Sequence, residues 1–203
     1  MDYLSILQSA IAHNRFTHKK NQTQDKKPTS ELVYQALLSA EKNSHQQKHK
    51  YEFNQLLGDW RLIFITGTKE SQKKLGRLLG KGFYLPSFVK VIISYFPEKN
   101  HDNQGNVANK VEVGLVKFNV TGPIKYVDKK NILAFDFNHL IMSVLGVKTF
   151  QTDIRGGKKD ESKFYKQSIN NQAFFSYFLV TEDFIAARGR GGGLALWRKE
   201  DVK

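Results

Sequence analysis

Asp136, His139 and a serine at position 143 or 176 are the residue types of a nucleophilic catalytic group, in which a carboxylate orients an imidazole that takes the serine proton. Their surroundings argue against that use. No strained Gly-x-Ser-x-Gly turn presents a serine. Asp136 stands between Phe135 and Phe137, so strand alternation sends the carboxylate to one side and the aromatics to the other. His45 and His49 are four apart and could share a helix face as metal ligands, but Gln46, Gln47 and Lys48 between them supply no carboxylate. The chain has no cysteine, which removes disulfides and thiolate metal sites. Gly189-Arg190-Gly191-Gly192-Gly193 has the outline of a phosphate-cradling loop, yet it lacks the Lys-Ser or Lys-Thr that would complete one. It leads instead into Leu194-Ala195-Leu196-Trp197, a strand pattern, so the glycines read as a hairpin turn. The expectation is a protein that is not an enzyme and carries no cofactor.

The net charge of +13 attracts polyanions: nucleic acid, anionic lipid headgroups or acidic proteins. Lys19, Lys20, Lys26 and Lys27 form one cluster. Arg155, Lys158, Lys159, Lys163 and Lys166 form another, with Phe164 and Tyr165 interleaved as bases would require. No recognisable nucleic-acid-binding motif accompanies them, so a basic nucleic-acid-binding barrel stands as the alternative. Between the first two strands, Lys73, Lys74, Arg77 and Lys81 interleave with Leu75, Leu78 and Leu79, and Phe83 and Tyr84 come next. That pattern suits a segment lying in an anionic headgroup layer. It also suits a lid with its leucines on the barrel mouth and a solvated basic face.

The elements that must position these residues fall into two parts. Residues 1–50 carry two short helical stripes, Leu4-Ile6-Leu7-Ala10-Ile11 and Leu32-Val33-Ala36-Leu37-Ala40, the second introduced by Pro28-Thr29-Ser30 and both joined by a basic linker. Residues 51–203 change texture to short β-branched and aromatic runs: Trp60–Thr66, Phe83–Phe96, Asn109–Val120, Ile132–Met142, Ala173–Val180, Phe184–Arg188 and Leu194–Trp197. Turn chemistry separates them at Asp102–Asn106, Gly122-Pro123, Asp128–Asn131 and Gly156-Gly157. This predicts a mainly β chain, a meandering antiparallel sheet closing at about eight strands, with a two-sheet sandwich left open. Val89–Phe96 and Phe174–Val180 are apolar on both parities, which fits either a ligand cavity or a thick ordinary core beneath the helices. No apolar run reaches the roughly 18–20 residues of a membrane span. Met1–Ala12 resembles neither a signal nor a transit peptide, so the expected location is cytoplasmic or peripheral to a membrane, not secreted.

Two segments carry a more specific likeness. Leu56-Leu57-Gly58-Asp59-Trp60-Arg61-Leu62-Ile63-Phe64-Ile65-Thr66 resembles the opening Gly-x-Trp strand of lipocalins and their relatives. Tyr177 through Arg198, with a strand, an acidic turn, Arg188-Gly189, the glycine-rich turn and a last apolar strand, resembles the C-terminal hairpin of the plastid-lipid-associated/fibrillin family. Asn109-Lys110-Val111 is similar to that family's middle motif. The chain departs from the plant pattern in its missing transit peptide, its more basic surface and its final Trp197-Arg198, which suggests a cyanobacterial-type member. The resemblance implies a lipocalin-like antiparallel β-barrel that binds or stabilises lipids, quinones or carotenoids at thylakoid-type membranes, linked to photoprotection. It also admits a tetrapyrrole-handling enzyme on a related barrel. In such a barrel Trp60 plugs one end, and Leu62 and Phe64 follow it into the lumen. Val113, Leu115, Phe135, Phe137, Phe175 and Tyr177 face them, with a one-residue slip exchanging each set for its neighbours. Arg188, or failing it Arg198, would cover the Trp60 ring.

Overall fold

The computed structural model describes residues 2–15, 27–67, 82–99, 101–154, 156–157 and 161–200. Lys73, Lys74, Arg77 and Lys81 lie outside these residues, as do Lys19, Lys20, Lys26, Arg155, Lys158 and Lys159.

Two helices lead the chain, α1 (Tyr3–Arg15) and α2 (Ser30–Gln47). Thr29 caps α2, its Oγ1 accepting the Leu32 amide at 3.3 Å. Their apolar stripes, Leu7, Ala10 and Ile11 with Val33, Ala36, Leu37 and Ala40, are buried against Ile63, Phe64, Phe178, Phe184, Ala186, Leu194 and Leu196. Helices of this length gain most of their stability from such packing.

The described residues form eleven strands, paired antiparallel. Eight of them make a ring. β1 (Gly58–Ile65) pairs with β3 (Val89–Glu98), which pairs with β4 (His101–Val113), then β5 (Val116–Val127) and β6 (Ile132–Phe135). β9 (Ala173–Val180), β10 (Phe184–Gly189) and β11 (Leu194–Lys199) complete the circuit, and β11 returns to β1. Ring neighbours follow one another along the chain, so this is an up-and-down antiparallel barrel rather than a sandwich. β2 (Phe83–Tyr84) pairs with the end of β1. The hairpin of β7 (His139–Val144) and β8 (Val147–Asp153) interrupts the meander, and a short α3 (Glu161–Lys166) leads back into it.

The ring strands are unequal. β4 has 13 residues and β5 has 12, whereas β10 and β11 have 6 each. At about 3.3 Å per residue, β4 is about twice as long as β11. β1 pairs with β3 only from Ile92 to Tyr95, and β6 pairs with β5 only from Ile124 to Val127. Above those levels β3, β4 and β5 continue as an open sheet, widened by β7 and β8 along Val116–Thr121.

The turn expectations need correction. Asp102–Asn106 and Gly122-Pro123 run inside β4 and β5. Their glycines serve close backbone approach: a Cβ on Gly105 would sit 2.0 Å from the Phe96 carbonyl oxygen, and one on Gly122 would sit 2.2 Å from that of Asp136. Conversely the Asn109–Val120 run breaks at Gly114 (φ 59°), and β8 follows a turn through Leu145 (φ 55°) and Gly146 (φ 80°). A left-handed leucine costs roughly 1–2 kcal/mol, and Asn or Gly is the usual choice there.

Trp60 is fully buried at the closed end of the barrel, its Nε1 donating to the Leu56 carbonyl at 2.7 Å. Trp60→Ala is expected to lower stability by about 3–5 kcal/mol. A thermal melt unchanged by the substitution would contradict the role of the ring as a plug.

Candidate functional site

Strand alternation sorts the barrel into two cores. Inward side chains of the closed half, Trp60, Ile93, Tyr95, Val107, Ile124, Tyr126, Leu133, Tyr177, Ile185 and Trp197, form one buried cluster, capped from below by Phe53 and Leu56. This half of the lumen is filled by side chains. Tyr95 and Tyr177 are buried within it with their hydroxyl oxygens 2.7 Å apart. Burial raises both phenols, and the Tyr95–Tyr177 pairing further disfavours a charge on Tyr177.

Above the filled half lies an aromatic floor. Phe135 stacks on Phe175 at 5.1 Å between centroids and meets Phe137 at 5.4 Å, and Phe175 meets Trp197 edge-on at 5.2 Å. From this floor the open sheet rises as a wall. Across it, Ile93, Asn109, Val120 and Leu140 are in register, then Val91, Val111, Phe118 and Met142, then Val89, Val113, Val116 and Val144. The side chains of each row share the face that lines the lumen lower down. The opposite face carries Lys110, Glu112, Lys117, Asn119, Ser143 and Lys148, with Ile92 and Ile141 among them. One side of the extension is therefore apolar and half-exposed while the other is mainly polar. Asn109 is the exception on the apolar side, and its Oδ1 is buried with no hydrogen-bond partner among the described residues.

Of the residues expected to line the lumen, Trp60, Leu62, Phe135, Phe137, Phe175 and Tyr177 belong to the inner cluster or pack on it. Phe64 does not. The register shifts between Leu62 and Phe64, and this bulge turns Phe64 outward beneath the helices. Val113 and Leu115 lie at the tip of the β4–β5 hairpin, with Leu115 64% exposed. Arg188 is also corrected: it points out of the barrel and grips Glu41 of α2, Nε to Oε1 at 2.6 Å and Nη2 to Oε2 at 2.5 Å. Arg198 likewise faces out, donating to Asn14 Oδ1 of α1 at 3.3 Å. The cation over Trp60 is Lys199, its Nζ 4.2 Å from the ring centroid and donating to the Leu57 carbonyl at 2.8 Å. Parity would have found it, because Lys199 is two residues after the inward Trp197.

Phe83 and Tyr84 form β2, with Phe83 exposed and the Tyr84 hydroxyl donating to the Pro28 carbonyl at 2.9 Å. Phe164 is buried under the Lys125 ammonium, so it is not free to stack a base. Asp136, His139, Ser143 and Ser176 are not brought together: His139 Nδ1 meets Asp153 Oδ1 at 2.8 Å on the polar face. Ser143 lies four residues further along the same strand, about 13 Å away. Ser176 stands opposite Arg188 on β9. The described residues contain no helix long and apolar enough to cross a membrane. A cleft of about 450 Å³ at the closed end, apart from the apolar wall, is lined by Phe53, Leu57 and Pro97 together with Glu52, Glu98, His101, Asp102 and Asp128.

No family model matches the chain, and no curated protein matches it. Among solved structures, a redesigned β-barrel is similar over 73% of this chain and 94% of its own, at 8% identity and a TM-score of 0.35, too loose a likeness to bear on function.

The tyrosine pair sets a pH dependence. The folded-state pKa of each phenol is raised, so the stabilisation is complete below the unfolded value near 10 and is lost as pH rises beyond it. Unfolding free energy should fall above pH about 10, and Tyr95→Phe with Tyr177→Phe should flatten that fall. An equal slope in the double variant would contradict it.

Proposed function

We propose that this barrel is a non-catalytic binder of an apolar small molecule, held along the inner wall of the open sheet with one end on the Phe135–Phe137–Phe175 floor. The observation that carries this reading is an apolar face that continues from a filled lumen onto an open sheet and stays half-exposed. Exposed apolar area of this extent costs solubility unless something covers it. A ligand that covers it gains about 25 cal/mol for each Å² it removes from water, before ordering costs. The resemblance of the Gly58–Thr66 and Tyr177–Arg198 segments adds the ligand classes: lipids, quinones or carotenoids. It also adds the partner and place, an anionic membrane surface of the thylakoid type, and the link to photoprotection.

Asn109 supports a ligand with a hydroxyl. A buried carbonyl oxygen without a partner costs about 1–3 kcal/mol, and a ligand O–H is a donor that offsets it. Quenching of the Trp60 and Trp197 emission during titration with a short-chain benzoquinone and its hydroquinone tests both points. Saturable quenching is expected with each, weakened about tenfold or more by Phe118→Asp with Met142→Asp. Asn109→Leu should weaken the hydroquinone and spare the quinone. Absence of saturable quenching, or equal affinity after the Asp substitutions, would contradict the reading.

A further inference from the structure

The outer rim of the wall has a property that ligand binding leaves unused. Six large apolar side chains there, Phe88, Val113, Leu115, Leu145, Val147 and Phe150, are 42–70% exposed. Val113 and Leu115 belong to the β4–β5 hairpin tip, and Leu145 and Val147 to the β7–β8 tip. The Leu145 amide donates to the Leu115 carbonyl at 3.0 Å, so the two tips form one continuous edge. Folding does not ask for leucine at either tip. Leu145 occupies a left-handed turn position that asparagine or glycine fills more easily, and it is the most exposed of the six.

We propose that these paired hairpin tips insert into an anionic lipid surface and hold the mouth of the wall against it. Charge selects this occupant. Behind the apolar edge, among the described residues, stand Lys90, Lys110, Lys117 and Lys148, against two carboxylates: Glu200, 2.7 Å from Lys90, and Glu112, 3.5 Å from Lys117. A second copy of the chain docked edge to edge would bring two lysine collars together in a protein already carrying +13. An anionic bilayer takes the leucines into its acyl boundary and the lysines at its headgroups. The inference rests on the membrane partner proposed above, but the residues that test it, Leu115, Leu145, Lys117 and Lys148, are distinct from the basic segment 73–81 and from the rows of the ligand wall.

Co-sedimentation with vesicles of phosphatidylcholine, alone or mixed with phosphatidylglycerol, separates the possibilities. The unaltered protein should bind the anionic vesicles and release with salt. Leu115→Asp with Leu145→Asp should cut that binding about tenfold or more, and Lys117→Gln and Lys148→Gln about fivefold each. Both leucines are exposed, and an unchanged thermal melt confirms that the variants remain folded. In Leu115→Trp, brominated lipid should quench the introduced indole, whereas Trp60 and Trp197 are buried. If the unaltered protein ignores both vesicle types, the membrane partner and the tips fail together. If it binds and the leucine variant binds equally, the tips alone are overturned, and neutralising Lys73, Lys74, Arg77 and Lys81 then tests the other segment. If the leucine variant dissociates a dimer without altering vesicle binding, the edge is a contact between copies and the proposal is overturned.

Discussion

Ring closure between β1 and β11 is the constraint on which the rest of the architecture depends. The five paired positions from Trp60–Lys199 to Ile65–Ala195 join the first ring strand to the last, and they fix the closed end. Closure at that level requires inward side chains to fill the space, which Trp60, Tyr95, Tyr177 and Trp197 do. The same closure engages only the lower parts of β3 and β5. The remainder of the long strands has no ring partner, and it becomes a wall instead of a tube. A barrel of equal strands with these side chains would be a plain solid core.

The outside of the ring is divided by the same logic. β1, β9, β10 and β11 are apolar on their outer parity, and the two N-terminal helices cover them. Arg188 and Glu41 fasten α2 to β10 through two parallel hydrogen bonds, a geometry that fixes orientation as well as position. The upper parts of β4, β5 and β7 have no such cover outside, where that face is mainly polar. Their apolar parity turns inward over the aromatic floor. Helices and wall are therefore complementary answers to one problem, which is where each strand sends its second apolar face.

The barrel was legible in the sequence because its signals are local. Gly58-x-Trp60 opens a strand, Thr29 starts a helix, and the aromatic runs from Phe174 and Phe184 are short and turn-bounded. Along β9 up to Tyr177, where alternation is unbroken, one of the two parities left open by the sequence, that of Phe175 and Tyr177, is the one that faces the lumen. Phe64 escaped because a bulge before it resets parity, and a bulge leaves no mark in a run of isoleucine and phenylalanine. The β4–β5 tip escaped because Val113-Gly114-Leu115-Val116 holds one turn residue among three strand formers. Gly105 and Gly122 misled in the opposite sense: each is a glycine demanded by a neighbouring carbonyl from another strand or loop. Arg188 was placed over Trp60 by the family likeness, whereas parity alone sends it outward to α2 and gives Lys199 the indole.

A ligand bound as proposed sits on the apolar wall, and not in the filled lumen or at the helix interface. Methyl NMR spectra recorded during titration with a short-chain benzoquinone test it most directly, since valine and leucine methyls sample all three places. Shifts are expected at Val91, Val111, Val120 and Leu140, with Val33 and Leu37 beneath the helices unmoved. Shifts confined to Val33 and Leu37, or none at any wall methyl at saturating quinone, would contradict it.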